Sequence, residues 1–514
     1  MKGTNQDFSV SLLRLPIVSV AGSLSSSAIV PPLSTAYLSA ALRNAGFTVS
    51  HIDAVGEGID RVRRISPEEN LEYQGLSIEE ILQRIPPNTG LLGISCMFSS
   101  EWPFAKKIIR EIKKERPGIK IAAGGEHITA LPEFSLSDCE ALDIACLGEG
   151  EETISDLARC VYEDTNLEPV NGIIFKRDGV LVKNPPRARL KNVDKLWPDW
   201  DAAPINTYLD LKLSFGPYRG RTMPILTSRG CPFNCAFCSN ATMWKCVHVR
   251  RSPQDVVDEI THYRGKYNIK CVEFYDLEPI FKKDWIMEFC DALIKNNLNI
   301  EFQISGGTRF EYIDEEVVAK LKTAGCQYLA FAPESGSPAV LKQIRKTTDI
   351  PKMIKLMKSA IRQDMGTRAN FVIGFPNDTR WQVYQTLCLI IKLAFMGVKD
   401  SPIFEFTPYP GSEYFDLLFK RKIIKLDDEY FASLGLNLQI GNKKKYCAQV
   451  GPYELAFYRL IGMLLFYGIY YLLRPLKLLK FIKNMFRYTS SESVFEQRII
   501  FNIKKLQAKA KSRS

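Results

Sequence analysis

Residues 228–240, SRGCPFNCAFCSN, place three thiols, Cys231, Cys235 and Cys238, in a C-x3-C-x2-C pattern directly after the apolar run 224–227. Thiolates this close together, on a turn rich in Gly, Pro and Asn, can wrap one soft metal centre. Three protein ligands on a cubane of four irons leave the fourth iron open, and chemistry can happen at an open iron. Two plainer readings compete. Free cysteine is commonly a core residue, and structural zinc also binds thiolates, but zinc prefers four ligands in paired C-x2-C units and no matching second pair exists.

The pattern C-x3-C-x-aromatic-C, with Phe237 as the aromatic, resembles the signature of the radical S-adenosylmethionine superfamily, and its setting at the end of a strand matches. The resemblance implies a 4Fe-4S cluster held by the three cysteines and S-adenosylmethionine bound beside it.

At 514 residues the chain can hold two or three domains, and 46% hydrophobic with 24% charged residues is ordinarily globular. Thirteen scattered cysteines and an N-terminus without a charged n-region and long apolar run give the expectation of a reducing, cytoplasmic setting. The net charge of +11 is unevenly placed: residues 474–514 carry eleven Lys or Arg against Glu492 and Glu496, a net of +9, leaving +2 for the rest. The tail is basic; the protein as a whole is not.

Along residues 10–190, strand-like runs at 16–21, 47–53, 91–96, 119–123 and 142–147 alternate with helical spacing at 33–44, 102–114 and 151–162. Such alternation predicts an α/β fold with a doubly wound, Rossmann-like parallel sheet, whose ligands bind beyond the carboxyl ends of the strands. Pro31, Pro32, Ser95, Ser99, Gly124, Gly125, Glu126, His127, Gly148 and Glu149 fall at those ends. The glycines there can be plain tight turns or places where a ligand approaches the backbone. PPLSTAYLSAALRNAGF, GGEHITALPE and GEGEET are similar to the N-terminal cobalamin-binding domain of one large branch of the radical enzymes. The resemblance implies cobalamin contacts from Ser95, Ser99, Gly124, Gly125, Glu126, His127, Gly148 and Glu149. One departure stands out. Neither His51 nor His127 lies in the D-x-H-x-x-G pattern that ligates cobalt in cobalamin domains of the methionine synthase type, so the lower face of the cobalt has no assigned ligand. A hydrogen-bonded turn residue is an equal reading of His127.

Residues 191–222, with WPDWD at 197–201, read as an irregular linker. From 223 to 420 strands are expected at 224–228, 271–275, 301–305, 328–332, 369–373 and 402–406, with helices at 253–263, 284–295 and 315–324 among the intervening segments. Six strand–helix units predict a partial TIM-type (β/α)6 barrel with active residues at the carboxyl ends of its strands. By the resemblance, Asp276 receives the methionyl amino group of S-adenosylmethionine. Ser305 and Arg309 take the carboxylate, for which a guanidinium fork is suited; Glu334 contacts ribose or amino group, and Gly374 and Phe237 flank adenine. Helix caps and a solvated barrel rim are the alternatives for these polar residues. PYPGS at 408–412 reads as structural.

Residues 421–514 are expected to form a helical basic extension. After a Lys-rich stretch at 441–446, the fourteen residues 460–473 carry no charge. That is short of the run of about 20 that spans a bilayer and suits a core or interfacial helix. Beyond the break at Pro475, Lys477, Lys480, Lys483 and Arg487 recur opposite Leu476, Leu479, Ile482 and Phe486, as in an amphipathic basic helix. A peripheral membrane contact through 455–514 is favoured over a helical cap on the substrate, and nucleic acid is disfavoured because no binding module accompanies the charge.

The whole implies a radical enzyme with a 4Fe-4S cluster, S-adenosylmethionine and cobalamin, fed electrons by a donor such as flavodoxin or ferredoxin. The expected reaction is methylation of an unactivated carbon of an apolar substrate: a lipid, isoprenoid or porphyrin-like molecule. Radical cyclisation, coupling or oxidation without methyl transfer is the alternative within enzymes. A non-catalytic iron-sulfur or cobalamin sensor at the membrane is the alternative outside them.

Overall fold

The computed structural model describes residues 8–21, 29–65, 71–211, 214–435, 444–487 and 491–511. The first three residues of the Lys-rich stretch 441–446, and the side chains of Phe486 and Arg487, lie outside the described ones.

The N-terminal sheet carries five parallel strands in the spatial order Val49–Asp53, Ser9–Arg14, Thr89–Ser95, Lys120–Gly124 and Ile144–Cys146. An antiparallel hairpin, Ile173–Arg177 and Val180–Lys183, extends it at the far edge. The order reverses between Ser9–Arg14 and Thr89–Ser95, which makes the sheet doubly wound with its switch point there. Helices Leu33–Asn44 and Trp102–Glu115 are two of its crossovers, and Glu151–Tyr162 leads from the last parallel strand to the antiparallel hairpin.

One expected strand is displaced. The run 16–21 supplies Ile17–Val20, which pairs antiparallel with Leu71–Gln74 in a separate three-stranded sheet. The central parallel strand is the preceding SVSLLR segment, whose two serines weaken its apolar pattern. Ser9 and Ser11 are nevertheless buried, and the Ser11 hydroxyl meets Thr89 Oγ1 at 2.9 Å. A satisfied hydroxyl costs little inside a sheet.

The second sheet is parallel throughout and follows sequence order: Thr222–Ile225, Cys271–Phe274, Glu301–Thr308, Cys326–Glu334, Gly366–Ile373 and Ile403–Glu405. Strand pairing gives an open, singly wound sheet, since no pairing joins the first and last strands among the described residues. Local signals start and stop its helices. Ser252 accepts the Asp255 N–H, Pro253 occupies the first turn and Asn268 ends the helix Pro253–Tyr267 in a left-handed conformation.

The uncharged run 460–473 belongs to a longer helix, Pro452–Leu472, of 21 residues. Arg459, immediately before the run, is buried against Glu405 at 3.2 Å. This helix lies beside Arg380–Met396: Arg380 grips Glu454 at one end (2.6 Å), and Arg474 donates to the Phe395 carbonyl at the other (3.0 Å). Helices Pro475–Arg487 and Val494–Lys511 follow, the latter capped by Asp400, which accepts the N–H groups of Val494 and Phe495.

Candidate active site at the cysteine loop

The cysteine loop is organised by Asn240, the last residue of the SRGCPFNCAFCSN stretch. Its side-chain oxygen accepts the Cys231 N–H (3.1 Å), and its amide donates to the Cys231 and Phe233 carbonyls (2.8 Å each). The Cys238 N–H returns to the Cys235 carbonyl at 3.1 Å. These bonds use the backbone and leave the sulfurs aside. Cys246, by contrast, spends its thiol on the Phe233 carbonyl. Burial pushes the Cys231 and Cys238 thiols up to about 12 and raises Cys235 as well. Such thiols keep their protons until a metal replaces them. No three His, Cys, Asp or Glu side chains among the described residues converge as for a single ion. A four-iron cubane makes a different demand, because each thiolate binds a separate iron.

Charged groups press on Cys235. Arg309 lies over the Phe233 ring, 3.8 Å from its centroid, and donates to Glu311 (2.6 Å) and the Thr347 carbonyl (3.0 Å). Lys346 is buried and bonds Glu334 at 2.7 Å. Burial opposes the charge of Lys346, but Glu334 and Cys235 hold it above its ordinary range. Glu334 sits at φ +65°, a left-handed conformation rare outside glycine that gathers at functional sites. Glu278 bonds the Arg309 N–H (2.9 Å) and the Thr308 hydroxyl, acts electrostatically on Cys231, and is pushed by burial to about 7. Lys346 and Glu278 carried no spacing signal in the sequence; Asn240 and Arg229 stood inside the quoted motif.

The other expected contacts for S-adenosylmethionine spread further. Asp276 is buried on the Thr227 N–H (3.0 Å) and the hydroxyls of Thr227 (2.9 Å) and Ser228 (2.5 Å), so it clamps the chain entering the loop. Phe237 packs on Phe375 with centroids 5.5 Å apart. Gly374 meets the tail: a Cβ there would lie 2.5 Å from Leu455 of the helix Pro452–Leu472. Ser305 is buried beside Glu273, whose carboxyl its hydroxyl helps to hold down against the effect of burial.

The carboxyl rim of the N-terminal sheet closes over this loop. Glu126, from GGEH, accepts the Ser239 hydroxyl at 2.6 Å; burial raises its carboxyl, and Ser239 partly offsets this. Arg229 donates to Glu151 (2.8 Å), approaches Glu149 and stacks over Tyr37. Glu149 also binds Arg189 (2.7 Å). Ser95 bonds Ser34 at 2.8 Å. His127 is turned into the core, with Nδ1 on Ser99 (2.9 Å), Nε2 on Ser135 (3.3 Å) and its ring stacked on Trp102. Burial lowers it to about 3, and neither nitrogen is free for a ligand. Gly125 packs against the Cys96 carbonyl, Gly124 faces Cys146, and a Cβ on Gly148 would meet open space. A cleft of about 510 Å³ lies between Glu151–Tyr162 and the linker, lined among others by Glu151, Asp156, Arg187 and Asn192 and by none of the three cysteines.

Two family models match the chain, the B12 binding domain over residues 21–158 and the Radical SAM superfamily over 225–390. The chain is a cobalamin-binding radical S-adenosylmethionine enzyme. An uncharacterised methyltransferase of Pyrococcus horikoshii is 28% identical over 77% of this chain and 80% of its own. The anaerobic magnesium-protoporphyrin IX monomethyl ester cyclase of Rubrivivax gelatinosus is 27% identical over 76% of this chain and 66% of its own. Among solved structures, the radical S-adenosylmethionine methyltransferase TsrM of Kitasatospora setae, with tryptophan and a S-adenosylmethionine analogue, shares the fold at TM-score 0.60. It is 16% identical and covers 82% of this chain and 78% of its own. As a member of this family the enzyme uses a 4Fe-4S cluster, S-adenosylmethionine and cobalamin. The donor set fits: three thiols within eight residues suit the cluster, with backbone N–H groups of Phe233 and Asn240 turned to Cys231 and Cys238 to favour their thiolates, and the open Gly148 turn gives a large planar group room at the rim.

Proposed function

We propose that this enzyme methylates an unactivated carbon of an apolar substrate of lipid, isoprenoid or porphyrin type. The observation that carries the reading is the meeting of two carboxyl rims. Glu126 reaches Ser239, and Glu149 and Glu151 hold Arg229, on either side of the cysteine loop. When bound, the cluster with S-adenosylmethionine supplies one-electron chemistry on carbon, and cobalamin supplies the methyl group. The chain's own part is to hold and exclude. Cys231, Cys235 and Cys238 would ligate the cluster, and Arg309, Lys346 and Glu334 would set the charge beside it. Ser95, Gly124, Gly125 and Gly148 would line the corrinoid side, and Asp276, Ser305, Phe237 and Gly374 the S-adenosylmethionine side. A flavodoxin or ferredoxin in the cytoplasm is the expected reductant, and a peripheral membrane contact of the C-terminal helices would give access to an apolar substrate.

Anaerobic reconstitution with methyl-labelled S-adenosylmethionine and a lipid or pigment extract tests the reading. The expected product is heavier than its precursor by one labelled methyl. A product altered without label would overturn methyl transfer and favour ring closure, coupling or oxidation, the reading that the cyclase relative supports. Absence of any S-adenosylmethionine cleavage above the level of Cys235→Ala would instead favour a sensor.

A further inference from the structure

The helix Pro475–Arg487 leaves its leucines bare. Lys477 and Lys480 reach Glu492 at 2.8 and 2.5 Å, whereas Leu476 is 78% exposed and Leu479 62%. Its apolar side therefore faces outward. The preceding helix continues the surface: Tyr453, Phe457, Leu460 and Leu464 recur every three or four residues on one exposed side, and Leu472 beyond them is 81% exposed. Arg380–Met396, a helix of the catalytic sheet held alongside by the Tyr384–Tyr458 hydroxyl contact (3.0 Å), adds exposed Trp381, Tyr384 and Phe395. An apolar face carried by three helices exceeds what soluble surfaces ordinarily leave uncovered.

We infer that these three helices form a docking face for an anionic membrane surface. Three observations choose this occupant. Lys392 and Lys483 are exposed on these helices, and the one acid the three helices carry, Glu454, is already tied to Arg380. A second copy brought up by a two-fold axis would set this one-signed surface against itself, whereas anionic lipids complement it. Trp381, Tyr384 and Tyr453 add the amphipathic rings that favour the headgroup level. Pro452–Leu472 is long and apolar enough to span a membrane, but its inner side is committed to the protein. Arg459 is buried on Glu405, and Tyr467 bonds Asp400. The helix lies on the bilayer and does not cross it. The inference deepens the membrane contact proposed above and rests on it for the partner, but it does not depend on the reaction.

The test is co-sedimentation of the full chain with phosphatidylcholine vesicles, with and without phosphatidylglycerol. Binding to the anionic vesicles, weakened by salt, is expected. The double variant Leu464→Glu/Leu476→Glu should lower it at least ~10-fold while circular dichroism and thermal melting stay unchanged. Should that variant melt early, Lys392→Glu/Lys483→Glu is read instead, with loss of the preference for anionic vesicles expected. Wild-type protein that fails to sediment with vesicles, binding indifferent to the substitutions, or a solution dimer that the leucine variant splits would each overturn the inference. Vesicle binding is scored without turnover, so its failure leaves methyl transfer standing, and a failure of methyl incorporation leaves the docking face standing.

Discussion

The two sheets solve the same problem in different ways. In the N-terminal sheet the winding reverses, so the strand ends open a crevice at the switch point between Ser9–Arg14 and Thr89–Ser95. In the second sheet the winding never reverses, and all six strand ends fall on one rim. The crevice is filled from within: Arg14 bonds Tyr208 (2.7 Å) and faces Asp53, while buried Glu101 stands near Arg14. The rim gathers buried, hydrogen-bonded charge instead, with Arg309, Lys346, Glu334 and Glu278 around the cysteine loop. The doubly wound sheet thus supplies a wall and the singly wound sheet supplies the reacting side. The two are joined by a few buried polar contacts and by a shared apolar core that includes Ile94 and Trp102 on one side and Ala236, Phe375, Phe406 and Tyr414 on the other.

The largest expected effect lies on the reacting side. Cys235→Ala should cut cluster loading and S-adenosylmethionine cleavage by ~100-fold or more, measured as iron content and 5′-deoxyadenosine formed, because removing a ligand exceeds the 10–100-fold typical of outer-shell losses. Next comes the joint. Arg229→Ala strands buried Glu151 and leaves buried Glu149 with Arg189 and the Leu190 N–H, and should cost about 3–5 kcal/mol in denaturant unfolding. If the two sheets melt separately in that variant, the joint holds them together; if they still melt as one, the shared apolar core does.

A pH series reads both sheets at once. Burial raises Glu101 to about 8 in the first sheet's domain, and Glu273 and Asp378 to about 7 in the second's. The folded chain therefore holds protons that the unfolded chain releases near an ordinary carboxylate value. The contribution of these carboxyls is lost as pH rises through 7 and 8, while His51, His127 and His248, lowered by burial to about 4, 3 and 4, act in the opposite sense below about 6.5, so the net fall is expected between about pH 6.5 and 8, on the order of 5 °C in melting temperature. Glu101→Gln should flatten the upper part of that fall and leave the Glu273 and Asp378 part. The smallest effect distinguishes the two glycine turns of the wall. Gly148→Ala meets open space at φ +73° and should cost about 1–2 kcal/mol of left-handed strain. Gly125→Ala should cost more, because its Cβ would lie 2.5 Å from the Cys96 carbonyl oxygen.

Local chemistry made much of this molecule legible in one dimension. Residues 33–44 and 151–162 read as helices because their spacing and flanking turns are self-contained, and they are helices as Leu33–Asn44 and Glu151–Tyr162. The cysteine trio was legible because ligand spacing on a turn is a covalent fact. Ser9–Arg14 was not, since its serines become acceptable only beside Thr89. Lys346 and Glu278 were not, since their meaning is proximity to cysteines on another strand end. For His127 the sequence left two readings, and the structure turns both ring nitrogens inward to serines.

The tail divides the same way. Its amphipathic period and its excess of positive charge follow from sequence alone, because side-chain order and helical pitch determine which residues share a side. Which side faces water is a tertiary matter. Glu492 holds Lys477 and Lys480, Asp400 caps the last helix, and the leucines are left outside. Sequence by itself determined the chemistry the chain can hold: three thiols for a cluster and two wound sheets to frame it. Only tertiary structure decided how the sheets meet and which face of the tail is bare, because both depend on ion pairs between residues far apart in the chain.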